Sequence, residues 1–184
     1  MTGEEPHRRS ASFSDRLALV LIGPLVVILV GAVVTLYVTN STVRVDGPSM
    51  LPTLLDEDRL LVTRGYDAAV RGDIVVIEPP SHPLISQDDT LIKRVVARGG
   101  DRIELKNGLV YVNGAPEPTS YDVIQEDPRA NLAAYSVPDG YVFVLGDNRP
   151  DSLDSRSFGP IPLVNVRGKV IAVFAPVTRL GLID

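Results

Sequence analysis

The sequence predicts a mostly β protein that carries a single N-terminal membrane-spanning helix. A run of 22 residues without a charged side chain occupies positions 17–38. Short segments rich in β-branched residues follow it, separated by Gly, Pro and Asn. Because no long amphipathic helical pattern appears after the apolar run, residues 39–184 are expected to form one all-β domain with a folded-sheet or barrel-like core.

Residues 17–38 are long enough for a membrane anchor. A helix of this length spans about 33 Å, which crosses the hydrocarbon core of a bilayer. The alternatives are a buried core helix and a cleaved signal peptide. The run exceeds the roughly 7–15 residues of a signal-peptide core, and no small-x-small site follows it directly, so an uncleaved anchor is favoured. The polar residues 1–16 are expected to be a disordered tail.

The basic residues around the apolar run predict its orientation. Arg8, Arg9 and Arg16 precede it, and only Arg44 follows closely. The positive-inside rule therefore places the N-terminus in the cytoplasm and the β domain outside, with a single pass through the cell (plasma) membrane.

Within the β domain, the predicted strands are short and closely spaced. Asn107-Gly108 lies between two of them and is a strong hairpin signal. Residues 115–137 show little periodicity and are interpreted as an irregular insertion or a small subdomain. The strands are expected at 42–45, 59–63, 73–77, 90–97, 102–106, 109–112, 141–145 and 169–174.

Composition limits the chemistry that the chain can perform. The formal net charge of −5 argues against nucleic-acid binding, and the lack of cysteine removes thiol nucleophiles and disulfides. His7 and His82 are the only histidines, so a histidine triad or a histidine-clustered metal site has little material. Arginine cannot act as a base near neutral pH, which leaves Lys93, Lys106 and Lys169 as nitrogen bases.

Two residues stand out as a possible nucleophile and base. Ser49 lies on a corner fixed by Gly47 and Pro48, so its hydroxyl has a defined direction; the alternative is an ordinary turn serine. Lys93 would share one face of a strand with Leu91 and Val95. Such an environment disfavours the ammonium form and lowers its pKa. The alternative is a sheet-edge lysine that reaches water.

A third stretch, residues 146–159, is dense in polar groups and follows an apolar strand. An ordered loop of this composition needs many internal hydrogen bonds and ion pairs. The alternative, from composition alone, is a solvated charged loop.

Taken together, these stretches resemble the bacterial type I signal peptidases, in their Gram-positive or actinobacterial single-span form. The resemblance runs from the anchor to about Phe174. It is carried by Gly-Pro-Ser-Met-x-Pro-Thr-Leu, Arg-Gly-Asp, Ile-Lys-Arg-Val-Val with Gly-Gly-Asp after it, and Gly-Asp-Asn-Arg-x-x-Ser-x-Asp-Ser-Arg-x-x-Gly, at residues 47–54, 71–73, 92–101 and 146–159.

The resemblance implies a catalytic dyad, in which Ser49 is the nucleophile and Lys93 the general base, acting through an acyl-enzyme. It implies that Ser152 hydrogen-bonds and orients the lysine. Two ion pairs would support the site, Asp147 with Arg94 and Asp154 with Arg156. The oxyanion would bind the Ser49 N–H. Some family members carry a serine where this chain has Gly47, so a second oxyanion donor is left open.

The implied substrates are the signal peptides of exported preproteins, cleaved after Ala-x-Ala sites. An extended peptide would add to a sheet edge, with side-chain pockets lined by Met50, Leu54, Leu91 and Ile92. Ile92 needs a bulge for this, because a regular strand points it away from the face of Lys93. The other implied partners are the lipid bilayer and, by proximity, the export translocon. The resemblance implies no metal and no cofactor.

Three alternatives remain at this point. A membrane-tethered β module could bind peptides without cleaving them, although Ser49, Lys93 and Ser152 are all present. A self-cleaving SOS-type repressor shares the dyad but needs a DNA-binding helical domain before it. The histidine-dependent branch of the signal peptidases is disfavoured, because position 93 is lysine.

Overall fold

A computed structural model describes residues 13–66, 68, 70–78, 90–117, 120–125 and 128–183. The chain divides into two units, which meet in sequence between Thr39 and Asn40. The first contains helix α1, and the second contains the strands. The prediction of a mostly β protein with one N-terminal apolar helix is confirmed.

Helix α1 (Phe13–Thr39) begins four residues before the predicted anchor and tolerates Pro24 in its interior. Its side chains from Val20 onward are mostly apolar and exposed. The hydroxyls of Thr35 and Thr39 donate to carbonyls one turn earlier, both over 2.8 Å. Their hydrogen-bond donors are therefore satisfied within the helix, as an apolar environment requires. Within the described part of the chain, this is the one helix long and apolar enough to cross a membrane. The predicted tail lies largely outside the described residues.

The second unit is built from short strands joined by tight turns. A four-residue helix, α2 (Ser155–Phe158), and 3-10 turns at Arg149–Asp151, Leu163–Asn165 and Val177–Arg179 interrupt them. The described strands are β1 (Asn40–Arg44), β2 (Arg59–Thr63), β3 (Ile74–Ile77), β4 (Leu91–Arg98), β5 (Arg102–Lys106), β6 (Leu109–Val112), β7 (Ala115–Pro116), β8 (Leu132–Ser136), β9 (Tyr141–Leu145), β10 (Ile161–Pro162), β11 (Val166–Ala175) and β12 (Gly181–Leu182).

The larger sheet has the strand order β1-β2-β11-β3-β4-β9-β10, and β12 pairs with β11. All of its pairings are antiparallel. Strand β11 pairs with β3 through its first part and with β2 through its second, with register shifts along the way. Such irregularities bend a strand and raise its local twist, which lets one long strand join two parts of a folded sheet.

A smaller sheet has the order β7-β6-β5-β8. Asn107 and Gly108 both adopt positive φ at the β5–β6 turn, as the sequence predicted for a hairpin. The structure corrects the interpretation of residues 115–137 as irregular throughout, because β7 and β8 lie within that stretch. Strand β8, Leu-Ala-Ala-Tyr-Ser, has little strand propensity of its own, and its pairing with β5 decides its conformation.

Strand β4 lies between β3 and β9 and is buried from Ile92 to Ala97. One apolar cluster contains Leu60, Ile74 and Ile92, and a second contains Val75, Val95 and Val144. These clusters place Lys93 and Arg94 in one of the most enclosed strands of the domain. The burial of two adjacent cations has to be compensated by their neighbours.

The close packing of β11 against β2 generates a stability prediction. A Cβ on Gly168 would lie 1.8 Å from the carbonyl oxygen of Thr63. We expect Gly168→Ala to lower the free energy of unfolding by about 2–4 kcal/mol, because the backbone must shift to relieve the overlap. Thermal unfolding followed by circular dichroism measures this. Gly181→Ala is the control, since its nearest contact would be at 3.9 Å. Equal losses in the two variants would contradict the prediction.

Candidate active site

Ser49 lies in a turn whose backbone is closed by local hydrogen bonds. Leu51 N donates to Pro48 O over 3.0 Å, and Gly47, at φ +87°, donates its N–H to Asp56 Oδ1 over 3.0 Å. The positive φ favours glycine at this position. Ser49 itself is partly exposed. None of the described residues accepts a hydrogen bond from its backbone N–H.

Asn148 holds this turn against the 146–159 loop. Its backbone N–H donates to Ser49 O over 3.1 Å, and its side-chain amide donates to Pro48 O over 3.2 Å. The sequence reasoning gave Asn148 no role. Its position in the Gly-Asp-Asn-Arg motif was the only available signal.

Lys93 projects from β4 toward the serine. Its Nζ lies 2.8 Å from Ser49 Oγ and donates to the carbonyl oxygen of Ile92 over 2.9 Å. Lys93 is 2 % exposed, so the lysine is not at a sheet edge reaching water. The structure thus brings together the two residues that the sequence singled out, although they are 44 positions apart.

Burial lowers the pKa of Lys93 from 10.5 to about 8. Loss of hydration is the largest cause, because the ammonium loses more than the neutral amine when water is removed. The carboxylates of Asp154 and Asp147 act against this shift, and Arg156 adds to it. A substantial fraction of Lys93 is therefore neutral at slightly alkaline pH.

The predicted pair of Arg94 and Asp147 is fully buried and bidentate. Arg94 Nε and Nη2 lie 2.8 Å and 2.7 Å from the two carboxylate oxygens, and both side chains are at most 1 % exposed. Thr53 donates its hydroxyl to Asp147 over 2.5 Å, and Arg94 donates to Gly72 O over 2.6 Å. These bonds tie the turn that carries Ser49 to β4.

The predicted pair of Asp154 and Arg156 closes the 146–159 loop. Arg156 Nε and Nη2 lie 2.8 Å and 2.7 Å from the Asp154 oxygens, and Arg156 also donates to Arg149 O over 2.7 Å. Asp154 accepts from the N–H of Gly146 over 3.0 Å and caps α2. The loop is therefore ordered by internal bonds, and the alternative of a solvated charged loop is wrong for this part of the chain.

Ser152 lies next to the dyad but does not form the expected hydrogen bond to Lys93. Its Oγ is buried and has no hydrogen-bond partner among the described residues. A Cβ at Gly146 would lie 2.3 Å from Ser152 Oγ and 2.4 Å from Ser49 O, which is too close for any side chain. Both oxygens therefore pack directly against Gly146. Gly146, which the sequence reasoning did not single out, is required for this close approach.

The residues predicted to line substrate pockets do not lie together. Met50, Leu54 and Ile92 are buried in one apolar cluster. Leu91 is partly exposed and packs against another cluster, with Val75 and Val95. As expected for a strand, Ile92 faces away from the side that Leu91 shares with Lys93.

A second buried ion pair was missed by the sequence reasoning. Arg149 is 2 % exposed, donates from Nη2 to Glu117 over 2.8 Å and from Nε to Gly146 O over 2.9 Å. Tyr121 donates its hydroxyl to Glu117 over 2.7 Å, and its ring lies 3.8 Å from the Arg94 guanidinium carbon. No motif or periodicity in the sequence indicates that residues 117 and 121 reach the site.

The described residues contain no group of three or more His, Asp or Glu side chains arranged to hold a metal ion. His82, one of the two histidines, lies outside the described residues. A serine hydroxyl next to a desolvated amine, beside an N–H with no acceptor, can carry out nucleophilic acyl transfer.

Comparisons with known proteins identify the family of this chain. Residues 17–175 match the family model described as signal peptidase, peptidase S26. A probable signal peptidase I-1 of Synechocystis is 39 % identical over 163 residues, covering 85 % of this chain and 82 % of that protein. A signal peptidase I of Leptolyngbya laminosa is also 39 % identical, over 72 % of this chain and 68 % of its own length. Signal peptidase IB of Staphylococcus aureus is 35 % identical, covering 76 % and 78 %.

The lowered pKa of Lys93 predicts a pH-dependent contribution to stability. Between pH 8 and 10.5 the unfolded chain binds this proton more tightly than the folded chain, so the penalty of burying the ammonium disappears as the pH rises. We expect wild type to gain up to about 3 kcal/mol of unfolding free energy relative to Lys93→Met between pH 7 and 10.5.

Urea unfolding at a series of pH values measures this difference. Lys106→Met is the control for the loss of a lysine, because the Lys106 side chain is 60 % exposed. A wild-type curve parallel to that of Lys93→Met across the whole window would contradict the prediction.

Breaking the buried pair of Arg94 and Asp147 should be costly. We expect Arg94→Met to lower the free energy of unfolding by about 3–5 kcal/mol, because a buried carboxylate is left without its counter-charge. Arg44→Met is the matched control, since the Arg44–Glu57 pair has side chains 61 % and 62 % exposed. Its loss should cost less than about 1 kcal/mol. Chemical denaturation of both variants tests the difference, and similar losses would refute it.

Proposed function

The chain belongs to the signal peptidase family, peptidase S26, and from that premise we propose that it hydrolyses preproteins through a Ser49–Lys93 dyad. It is a serine endopeptidase that acts on the signal peptides of exported proteins. The main support for the dyad is the 2.8 Å distance between Ser49 Oγ and Lys93 Nζ, together with the lowering of the Lys93 pKa to about 8.

In the proposed mechanism, neutral Lys93 accepts the proton of the Ser49 hydroxyl as Oγ attacks the scissile carbonyl carbon. The tetrahedral intermediate collapses when Lys93 returns that proton to the departing amine, which leaves an ester between Ser49 and the signal peptide. Lys93 then takes a proton from a water molecule, the hydroxide attacks the ester, and Ser49 recovers its proton. Every proton removed is returned within the cycle, so no cofactor is required.

The Ser49 N–H is the proposed oxyanion donor. It has no acceptor among the described residues, so it is free to bind a developing negative charge. Gly47 lacks a side chain that could add a second donor. A Cβ there would meet nothing within 4 Å, so the space beside the turn is open. The second donor, if the reaction needs one, has to come from another group.

We assign Ser152 to the orientation of Lys93, on the basis of the resemblance and of its unpartnered, buried Oγ. A neutral amine has two N–H bonds and one lone pair. Lys93 Nζ lies 2.9 Å from Ile92 O and 2.8 Å from Ser49 Oγ. In the proposed neutral state, Ile92 O accepts one N–H and the lone pair accepts the Ser49 hydroxyl proton. Ser152 Oγ is the proposed acceptor of the other N–H, which a small rotation of either side chain would provide.

The proposed cleavage site follows two small residues in an Ala-x-Ala arrangement. Leu91 shares a strand face with Lys93 and is partly exposed, so it is well placed to contact the peptide. Met50 and Leu54 are at most 1 % exposed, which suits the floor of a shallow pocket and not its rim, whereas Ile92 lies on the opposite face of β4. A shallow apolar pocket favours small side chains by excluding larger ones.

We propose that α1 anchors the enzyme in the plasma membrane with its N-terminus in the cytoplasm. The length and apolar surface of α1 support the anchor, and the distribution of Arg8, Arg9, Arg16 and Arg44 supports the orientation. An enzyme anchored in this way meets preproteins as they emerge from the export translocon.

Cleavage of a preprotein with an Ala-x-Ala site, by full-length enzyme in detergent, tests the proposal. We expect Ser49→Ala and Lys93→Ala to lower kcat/KM by about 10³-fold or more, because each removes a group that takes part in the chemical step. Wild-type kcat/KM should rise with pH on its acid side, with an apparent pKa of about 8, as Lys93 loses its proton.

Ser120→Ala and Lys106→Ala are the controls, because both residues lie exposed on the surface and should keep full activity. Near-complete activity in Lys93→Ala would rule out Lys93 as the base. Wild-type enzyme that cleaves none of these substrates would overturn the proposed specificity.

A further inference from the structure

Tyr121 lies between a partly open cavity and a buried arginine of the site. The cavity has a volume of about 430 Å³, and it is lined by apolar side chains such as Leu109 and Pro116 and by Glu117 and Tyr121. The Tyr121 ring also lies over the guanidinium of Arg94, which does not line the cavity. The ring therefore separates the Arg94 guanidinium from this space.

The contact between the ring and Arg94 is close and takes place away from water. The guanidinium carbon is 3.8 Å from the ring centroid, well inside the range of about 6 Å for a cation–π contact. Arg94 is 1 % exposed, and such contacts are strongest where the cation is desolvated. The covered guanidinium is the one that binds Asp147 through Nε and Nη2 and Gly72 O through Nη1.

The orientation of the Tyr121 ring is fixed by its hydroxyl. The hydroxyl donates to Glu117 Oε1 over 2.7 Å, and two guanidinium nitrogens of Arg149 lie 2.8 Å from the two Glu117 oxygens. Burial and the nearby Glu117 carboxylate raise the pKa of Tyr121, so the hydroxyl stays protonated at neutral and moderately alkaline pH. The hydrogen bond that orients the ring is therefore present over the whole range in which activity is measured.

Few charged groups act on the amine of Lys93. The carboxylates of Asp154 and Asp147 raise its pKa, and Arg156 lowers it. Strand β3 places the apolar Val75 opposite Lys93 in register. Since loss of hydration is the largest influence on this pKa, the amine responds both to water and to the degree to which each carboxylate is compensated.

We infer that Tyr121 is a positioning residue for the proposed reaction, because its ring holds the Arg94 guanidinium on Asp147 and keeps water from that pair. The inference rests on the proposed function, since it assumes that Lys93 is the base. A loosened Arg94 would leave the charge of Asp147 less compensated and would admit water. Both changes favour the ammonium form of Lys93, so Tyr121 acts on the base without contacting the substrate.

Tyr121→Leu in the full-length enzyme tests the inference, with a preprotein bearing an Ala-x-Ala site as substrate. We expect the acid side of the kcat/KM profile to move from an apparent pKa of about 8 to about 9. Activity should then fall about tenfold at pH 7 and return to the wild-type value near pH 10. The loss should appear in kcat and not in KM, because the substitution changes the base and not the peptide-binding surface.

Tyr121→Phe keeps the ring over Arg94 and loses only the hydroxyl, so its profile should stay close to that of the wild type. Tyr111→Leu is the matched control, because the Tyr111 ring lies 5.9 Å from Nζ of the exposed Lys106 on the same small sheet. It should leave the pH profile unchanged. Circular dichroism of the three variants shows which of them fold.

A measurement on the wild-type protein needs no variant. By NMR, the Nε–H of Arg94 should exchange with solvent about 100-fold more slowly than that of Arg44, whose side chain is 61 % exposed. Exchange of the Arg94 Nε–H as fast as that of Arg44 would overturn the inference, because the pair would then be open to water.

Three results with the variants would also overturn the inference and leave the proposed function standing. They are an unchanged acid side in Tyr121→Leu, a loss of activity in that variant that is the same at every pH, and an equal shift in Tyr121→Phe. Wild-type enzyme that cleaves no such substrate, or whose profile has no acid side near pH 8, would instead overturn the proposed function itself.

Discussion

The burial of the Lys93 amine is the constraint on which the rest of the site depends. Strand β4 places it among apolar side chains, where water cannot hydrate an ammonium. Two carboxylates nearby, Asp147 and Asp154, would favour the charged form if they acted alone. Each of them is bound in a bidentate manner by an arginine. The arginines therefore largely compensate the charges of these carboxylates. The loss of hydration remains the dominant influence on the pKa of Lys93.

The 146–159 loop contacts both the turn that carries Ser49 and strand β4, and it holds the two together. Asn148 binds the turn that carries Ser49, Asp147 binds Arg94, and Asp154 binds both Arg156 and the Gly146 N–H. These contacts join two segments of the chain that lie about a hundred residues apart. Buried charges of this kind contribute little net stability, since desolvation offsets most of their attraction. Their consequence here is positional, because each bond fixes the distance between the serine turn and β4.

Residues 115–137, which the sequence analysis interpreted as an irregular insertion, make direct contacts to the site. Glu117 is the counter-ion of the buried Arg149, and Ile124 exchanges backbone hydrogen bonds with Asp147 and Arg149, over 2.9 Å and 3.0 Å. These contacts hold the 146–159 loop in place.

The sequence alone determined the features that are local or that depend on composition. It predicted the apolar helix, the alternation of short strands, the Asn107-Gly108 hairpin, and the small set of candidate bases, because these follow from backbone preferences and from which side chains are present. It also indicated the pairs Arg94–Asp147 and Asp154–Arg156, through a resemblance that preserves their order along the chain. The tertiary structure decided what depends on contacts between distant segments: the burial of Lys93, the contact of Asn148 with the serine turn, the Glu117–Arg149 pair, and the pairing of β8 with β5. Such contacts leave no periodic signal in the sequence, because each joins single residues whose spacing is set by the path of the chain through the fold.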